Sequence, residues 1–89
     1  MEQWKKAYDI YSVSTHGRIR NDTTGYILKP FIKGRKLVVG LTLYNNSEIK
    51  QVSIATLVAK TFINPNVKKV VRIDRNIWNN NIENLKVYD

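Results

Sequence analysis

The chain has no cysteine and a single histidine, His16. Without thiols there are no disulfide staples and no cysteine-based zinc sites, and one histidine cannot build a His-rich metal cage. No run approaches eighteen apolar residues, so no membrane-spanning helix is expected and no membrane partner. Behind the charges of Met1-Glu2-Gln3-Trp4-Lys5-Lys6 there is no apolar stretch, so a secretory signal is not expected either. Acidic residues are scarce: seven Asp and Glu stand against fifteen Lys and Arg, a formal net charge of +8. These absences imply an intracellular protein that is metal-free or carboxylate-only, with no cofactor.

What is present suits one small folded unit. Apolar residues make up 43% of the 89, an ordinary share for a globular chain and too many for intrinsic disorder. A chain of this size removes only about 60–65% of its unfolded surface on folding, which limits it to one compact core. The positive charge is spread along the chain: Lys5-Lys6, Arg18 and Arg20, Lys29 to Lys36, Lys68-Lys69, then Arg72 and Arg75. Distributed cations on a folded surface suit a phosphate backbone. A basic amphipathic helix that would favour a membrane surface is missing.

Strand-forming residues dominate the first two-thirds. Tyr8 to Val13 predicts a strand, His16-Gly17 a turn, and Arg18-Ile19-Arg20 a strand with one inward residue between two outward cations. Asn21-Asp22-Thr23-Thr24-Gly25 reads as a turn. Tyr26 to Phe31 predicts a short strand, and Lys36 to Leu43 the strongest one. Tyr44-Asn45-Asn46-Ser47 reads as a tight hairpin connection into Glu48 to Val52. At Ser53 the spacing changes: Ile54, Leu57, Val58 and Thr61 predict a helix capped by Ser53 and ended at Asn64-Pro65. Lys68 to Ile73 is a further strand. An Asn-rich loop follows, then one or two helical turns over Ile82 to Leu85.

Tyr11-Ser12-Val13-Ser14-Thr15-His16-Gly17-Arg18-Ile19-Arg20-Asn21, with Trp4 before it and Leu28-Lys29-Pro30 after it, resembles the small DNA-binding module that precedes the nuclease domain of HNH homing endonucleases. Leu57 to Pro65 resembles the helix that opens that domain. Val70 to Leu85 is similar, without a gap, to its ββα-metal segment. The resemblance covers nearly the whole chain in the family's order. It implies an α+β fold: a small antiparallel sheet, then a degenerate ββα-metal unit. The implied parts are a β-rich DNA-binding module at 1–52 and a degenerate HNH-like unit at 53–89, packed as one compact domain.

The departures fall on the chemistry. Where the family carries an Asn or Asp for the metal and a His as general base, this chain has Val71 and Arg72. Valine cannot ligate a cation, and arginine cannot accept a proton at physiological pH. The family's helix histidine is Ala55, and the glycine after Asp74 is Arg75. Asp74, Asn76, Asn79, Asn80, Glu83, Asn84 and Leu85 match, a set that shapes the loop and helix. Asn79 and Asn80 read as structural caps and His16 as a loop residue. Trp4 reads as a packing residue. A live nuclease using Asp74 with Glu83 or Asn84 on a metal would lack a base.

The expected function is therefore a non-catalytic, HNH-like protein that binds nucleic acid, double-stranded DNA above all. The candidate contacts are Arg18, Arg20, Lys29, Lys33, Arg35, Lys36, Arg72 and Arg75, with no catalytic residue and no metal ligand. By analogy with homing-endonuclease relatives in phage genomes, it would be a phage regulatory or host-takeover factor in the host cytoplasm, at the nucleoid. The alternative is an inhibitor or adaptor that binds a host nuclease, polymerase or topoisomerase through Ile77 and Trp78. A homodimer would double the basic surface of so short a chain.

Overall fold

The structure, a computed structural model, describes residues 1–8, 10–42 and 49–88. Among these residues, eight strands form three antiparallel sheets, with one short helix between the second and third. The fold is α+β, as the sequence implies, but the β-structure is divided among three small sheets.

The first sheet has the order β1-β2-β3, from β1 (Trp4–Tyr8), β2 (Tyr11–Ser14) and β3 (Ile19–Asn21). The sequence reading gave one strand, Tyr8 to Val13, and did not mark β1. Two strands form because Trp4-Lys5-Lys6 continues the pairing, with Trp4 opposite Ser14 and Lys5 opposite Val13. The second sheet is β4-β5-β6, from β4 (Phe31–Lys33), β5 (Lys36–Thr42) and β6 (Ile49–Ser53). Here the strand expected over Tyr26 to Phe31 is displaced: only an Arg20–Ile27 bridge forms before Pro30, and pairing begins at Phe31. Proline removes a ladder donor, which places the strand after it. The Tyr44–Ser47 connection lies outside the described residues.

Helix α1 (Ile54–Val58) starts where predicted, with the Ser53 side chain accepting from the Thr56 amide at 3.5 Å. It widens into a π-helical turn over Ala59–Ile63, closed by the Asn64 amide on the Ala59 carbonyl at 2.9 Å. Strand β7 (Lys69–Arg72) pairs with β8 (Leu85–Tyr88), and a 3-10 turn over Ile82–Asn84 precedes β8. The sequence reading ended in a short helix at Leu85 and missed β8. Asn81 caps the 3-10 turn through its side chain, and the chain then extends.

One core joins the three sheets and α1. Val13 and Ile19 of the first sheet meet Val39 and Leu41 of the second, Ile54, Ala55 and Val58 of α1, and Leu85 of β8. Full burial of a Val, Leu or Ile side chain stabilises by about 1.5–3 kcal/mol each. Tyr11 is buried, and its hydroxyl accepts the Thr42 amide at 3.1 Å, tying the first sheet to the second. No helix among the described residues is long and apolar enough to cross a membrane.

Candidate nucleic-acid interface

Register places Trp4, Ser12, Ser14 and Arg20 on one face of the first sheet, because Trp4 pairs with Ser14 and Ser12 with Arg20. Val13 and Ile19 occupy the opposite, core-facing side. The two serines are small and buried, which leaves room above them for flat side chains. The Arg20 guanidinium lies 4.3 Å from the Trp4 ring centroid and that of Arg18 lies 5.4 Å away. An indole attracts guanidinium groups through its quadrupole, so one tryptophan orients two cations. Trp4 is thus more than the packing residue expected of it.

Each arginine also has an acidic neighbour. The Glu2 carboxylate accepts from Arg18 through both oxygens, with Nε to Oε2 at 2.8 Å. The Arg18 guanidinium, aided by Ser14, holds the Glu2 carboxyl down at about 2. Arg20 Nε donates to Asp22 Oδ1 at 3.1 Å, and the Ser12 hydroxyl donates to Asp22 Oδ2 at 2.6 Å. The Ser12 hydroxyl, with Arg20 second, lowers the Asp22 carboxyl. The pair is therefore aimed before any ligand arrives, and Glu2 sits where a phosphate would bind Arg18. His16, exposed in the adjoining turn, has its Nδ1 3.8 Å from the same Glu2 carboxylate.

The other predicted cations divide into two groups. Lys33, Arg35 and Lys36 share the β4–β5 hairpin tip, where Lys33 pairs with Lys36 across Gly34-Arg35. All three are exposed, and Lys33 donates to the Gln51 side chain. Lys29 is exposed before Pro30 and outside any strand. Arg72 and Arg75 line one shallow groove of about 430 Å³ with Val70 and Val71. Arg72 is half-buried, and its Nε is enclosed with no hydrogen-bond partner. Arg75, where the resembled motif has a glycine, has φ +62°, the left-handed conformation that favours glycine.

Between β7 and β8 an asparagine network fixes the loop. Asp74 Oδ1 accepts from the Asn76 amide and from Asn84 Nδ2, both at 2.8 Å, and Oδ2 accepts from Asn79 Nδ2 at 2.9 Å. These donors, the Asn76 amide foremost, hold the Asp74 carboxyl below its usual range. Asn84 Oδ1 accepts the Asp74 amide in return at 3.1 Å. Asn80 is buried, and its amide donates to the Ile77 carbonyl at 2.9 Å. Asn79 and Asn80 therefore support the loop. The donor set does not suit a divalent cation. Val71 offers no lone pair, Arg72 brings a positive charge, and the Asp74 oxygens are occupied by N–H donors. Ala55, at the family's helix histidine, is buried in the core.

Of the proposed partner-binding residues, Trp78 is 60% exposed while Ile77 is half-buried. Sequence reasoning did not single out Glu2, Asp22, Lys50 or Lys60, and it treated Lys5 and Lys6 only as general charge. Alternation along β1 would have placed Lys5 and Trp4 on opposite faces; nothing in the sequence alone pairs Glu2 with Arg18.

Comparison with known proteins gives three findings. A NUMOD4 motif matches residues 2–42. An HNH endonuclease of Acanthamoeba polyphaga mimivirus is 39% identical over 88 residues, covering 94% of this chain. The solved structure of the HNH homing endonuclease I-HmuI, reported for its DNA binding and cleavage, superposes with a TM-score of 0.79 at 26% identity over 97% of this chain. The chain spans about a quarter of the mimivirus protein (26%) and about half of the I-HmuI chain (52%). With the motif, the viral relative and the superposition agreeing, the chain carries a NUMOD4 motif at residues 2–42 and is similar to HNH homing endonucleases over nearly its whole length.

Proposed function

We propose that this chain binds duplex DNA without cutting it. The observation that carries this reading is the β7–β8 hairpin: Val71 and Arg72 stand at the positions of metal ligand and base, beside an Asp74 carboxylate already engaged by three N–H donors. The hairpin keeps the shape of a nuclease loop while its reactive groups are replaced by an apolar side chain and a cation. Arg72 and Arg75 suit a bound phosphate there, since guanidinium groups pair with phosphate oxygens. Arg18 and Arg20, held over Trp4, form the principal backbone contact, and Lys29, Lys33, Arg35 and Lys36 extend the basic track. Such contacts position a protein on DNA more than they read sequence, so sequence preference is weak.

The division at residues 52 and 53 into a β-rich binding module and a degenerate nuclease unit is part of the same proposal. So are a viral regulatory or host-takeover role, for which the mimivirus relative is the support, a place at the host nucleoid, and self-association into a dimer. The test is duplex retention against salt: log affinity should fall by several units per log unit of salt, and charge reversal of Arg18 and Arg20 should weaken all sequences alike.

A second reading has its own observation. Ile73 at 65% and Trp78 at 60% exposure display apolar surface on the same loop, which favours a protein partner such as a host nuclease, polymerase or topoisomerase. Capture of one stoichiometric protein from nuclease-treated host lysate, with only feeble DNA binding near physiological salt, would favour that reading.

A further inference from the structure

A separate groove of about 740 Å³ runs between the first and second sheets and is closed on one side by α1 and its π-helical turn. Pockets that hold small-molecule ligands span about 300–1,000 Å³. Among the described residues both strands that flank it are free edges: β1 pairs only with β2, and β6 only with β5. Lys5 pairs with Val13 and Lys50 with Leu41, so each edge strand carries a lysine at a core-facing position. Both side chains converge on this groove, where Lys60 joins them, and no lining residue is acidic. Among the described residues none of these three lysines is in an ion pair.

The rest of the lining is of a different kind. Leu41, Val52 and Leu57 make an apolar floor, and the Tyr8 ring stands at the rim with the Lys50 ammonium 5.2 Å from its centroid. A duplex presents phosphate and sugar to a groove and has nothing for an apolar floor to receive. A single strand presents phosphates on one side and unstacked base faces on the other, which is the combination this lining complements.

We propose that the groove binds a short run of unpaired nucleotides, with phosphates on Lys5, Lys50 and Lys60 and bases against Leu57, Val52 and the Tyr8 ring. It is a second site for the same class of ligand, and it rests on the nucleic-acid reading above. Lys50 and Lys60 are exposed, so Lys50→Glu with Lys60→Glu changes the groove without touching the core.

The test is fluorescence anisotropy with three labelled probes: an oligothymidylate of about 12 nucleotides, an abasic strand of the same length, and a duplex. The double variant should lose about tenfold or more in affinity for oligothymidylate and less than about threefold for duplex, while Arg18→Glu with Arg20→Glu shows the opposite pattern. Tyr8→Ala, which keeps every charge, should weaken oligothymidylate alone. The abasic strand should bind the unaltered protein several-fold more weakly than oligothymidylate. Equal binding of the abasic strand, equal losses on strand and duplex, or no loss from the double variant would each overturn the proposal. If duplex binding is absent from the unaltered protein while oligothymidylate binds in the groove, the duplex reading fails and the groove stands. An acidic peptide of matched charge binding as tightly as oligothymidylate would make the groove a protein site and overturn the proposal as well.

Discussion

Gly17 lies directly against Asn80. A Cβ at residue 17 would fall 2.8 Å from the Asn80 Cβ and 2.9 Å from its carbonyl oxygen, and the Gly17 φ is +81°. This contact, with the Ile82 amide on the Thr15 carbonyl at 2.7 Å, joins the turn of the first sheet to the loop between β7 and β8. The turn that carries Arg18 and the β7–β8 loop are held together at Gly17 and through this hydrogen bond.

Gly17→Ala should therefore destabilise by about 2–3 kcal/mol, combining a left-handed backbone with a forced displacement of a buried residue. Gly25→Ala is the control. Its φ is +77° but nothing lies within 4 Å of a Cβ there, so about 1 kcal/mol is expected. Urea unfolding of both variants measures the difference.

Arg75→Gly should make the protein more stable by about 1 kcal/mol, because arginine at φ +62° carries strain that glycine does not. The same change should weaken duplex binding. A variant that gains stability and loses affinity would show that the arginine is kept for its charge, and melting curves with binding isotherms read both effects.

Glu2 holds Arg18 through both carboxylate oxygens, so on the proposed reading a DNA phosphate must displace it. Glu2→Gln should raise duplex affinity about two- to fivefold at low salt, whereas Glu83→Gln, an exposed acid on the 3-10 turn, should change it less. The Glu2 carboxyl is lowered from 4.5 to about 2 in the folded protein, so its pairing stabilises the fold above about pH 4.5 and is lost as pH falls toward 2. Acid titration of Glu2→Gln should lack that part of the stability loss.

Asp74→Ala should lower the melting temperature more than Glu83→Ala, since Asp74 receives the Asn76, Asn79 and Asn84 donors that shape the loop. Its carboxyl is also lowered by those donors, so the contribution is present at neutral pH and declines on acidification. Limited proteolysis between residues 74 and 84 should quicken in step.

Much of the fold is legible wherever one local signal decides. Ser53 before an apolar run at helical spacing marks the start of α1, and Asn64-Pro65 marks the end of the π-helical turn that follows it. The Arg18-Ile19-Arg20 pattern gives an inward residue between two outward cations, and Ile19 is 1% exposed. Strand β8 was not legible, because Lys86-Val87-Tyr88 is too short to declare itself without its partner β7. The site shows the same limit. Arginines can be counted in a sequence, but the Glu2–Arg18 pair and the lysines of the interstrand groove depend on register between distant strands. Arg75 was legible as a replaced glycine, and its positive φ appears only in three dimensions.

The most direct measurement incubates the protein with supercoiled plasmid in Mg²⁺ or Mn²⁺ and follows binding and nicking in the same samples. The prediction is a retarded plasmid that stays supercoiled, with nicking no greater than for Asp74→Ala and retention lost after charge reversal of Arg18 and Arg20. Nicking above the Asp74→Ala level, or retention unaffected by the two reversals, would contradict it.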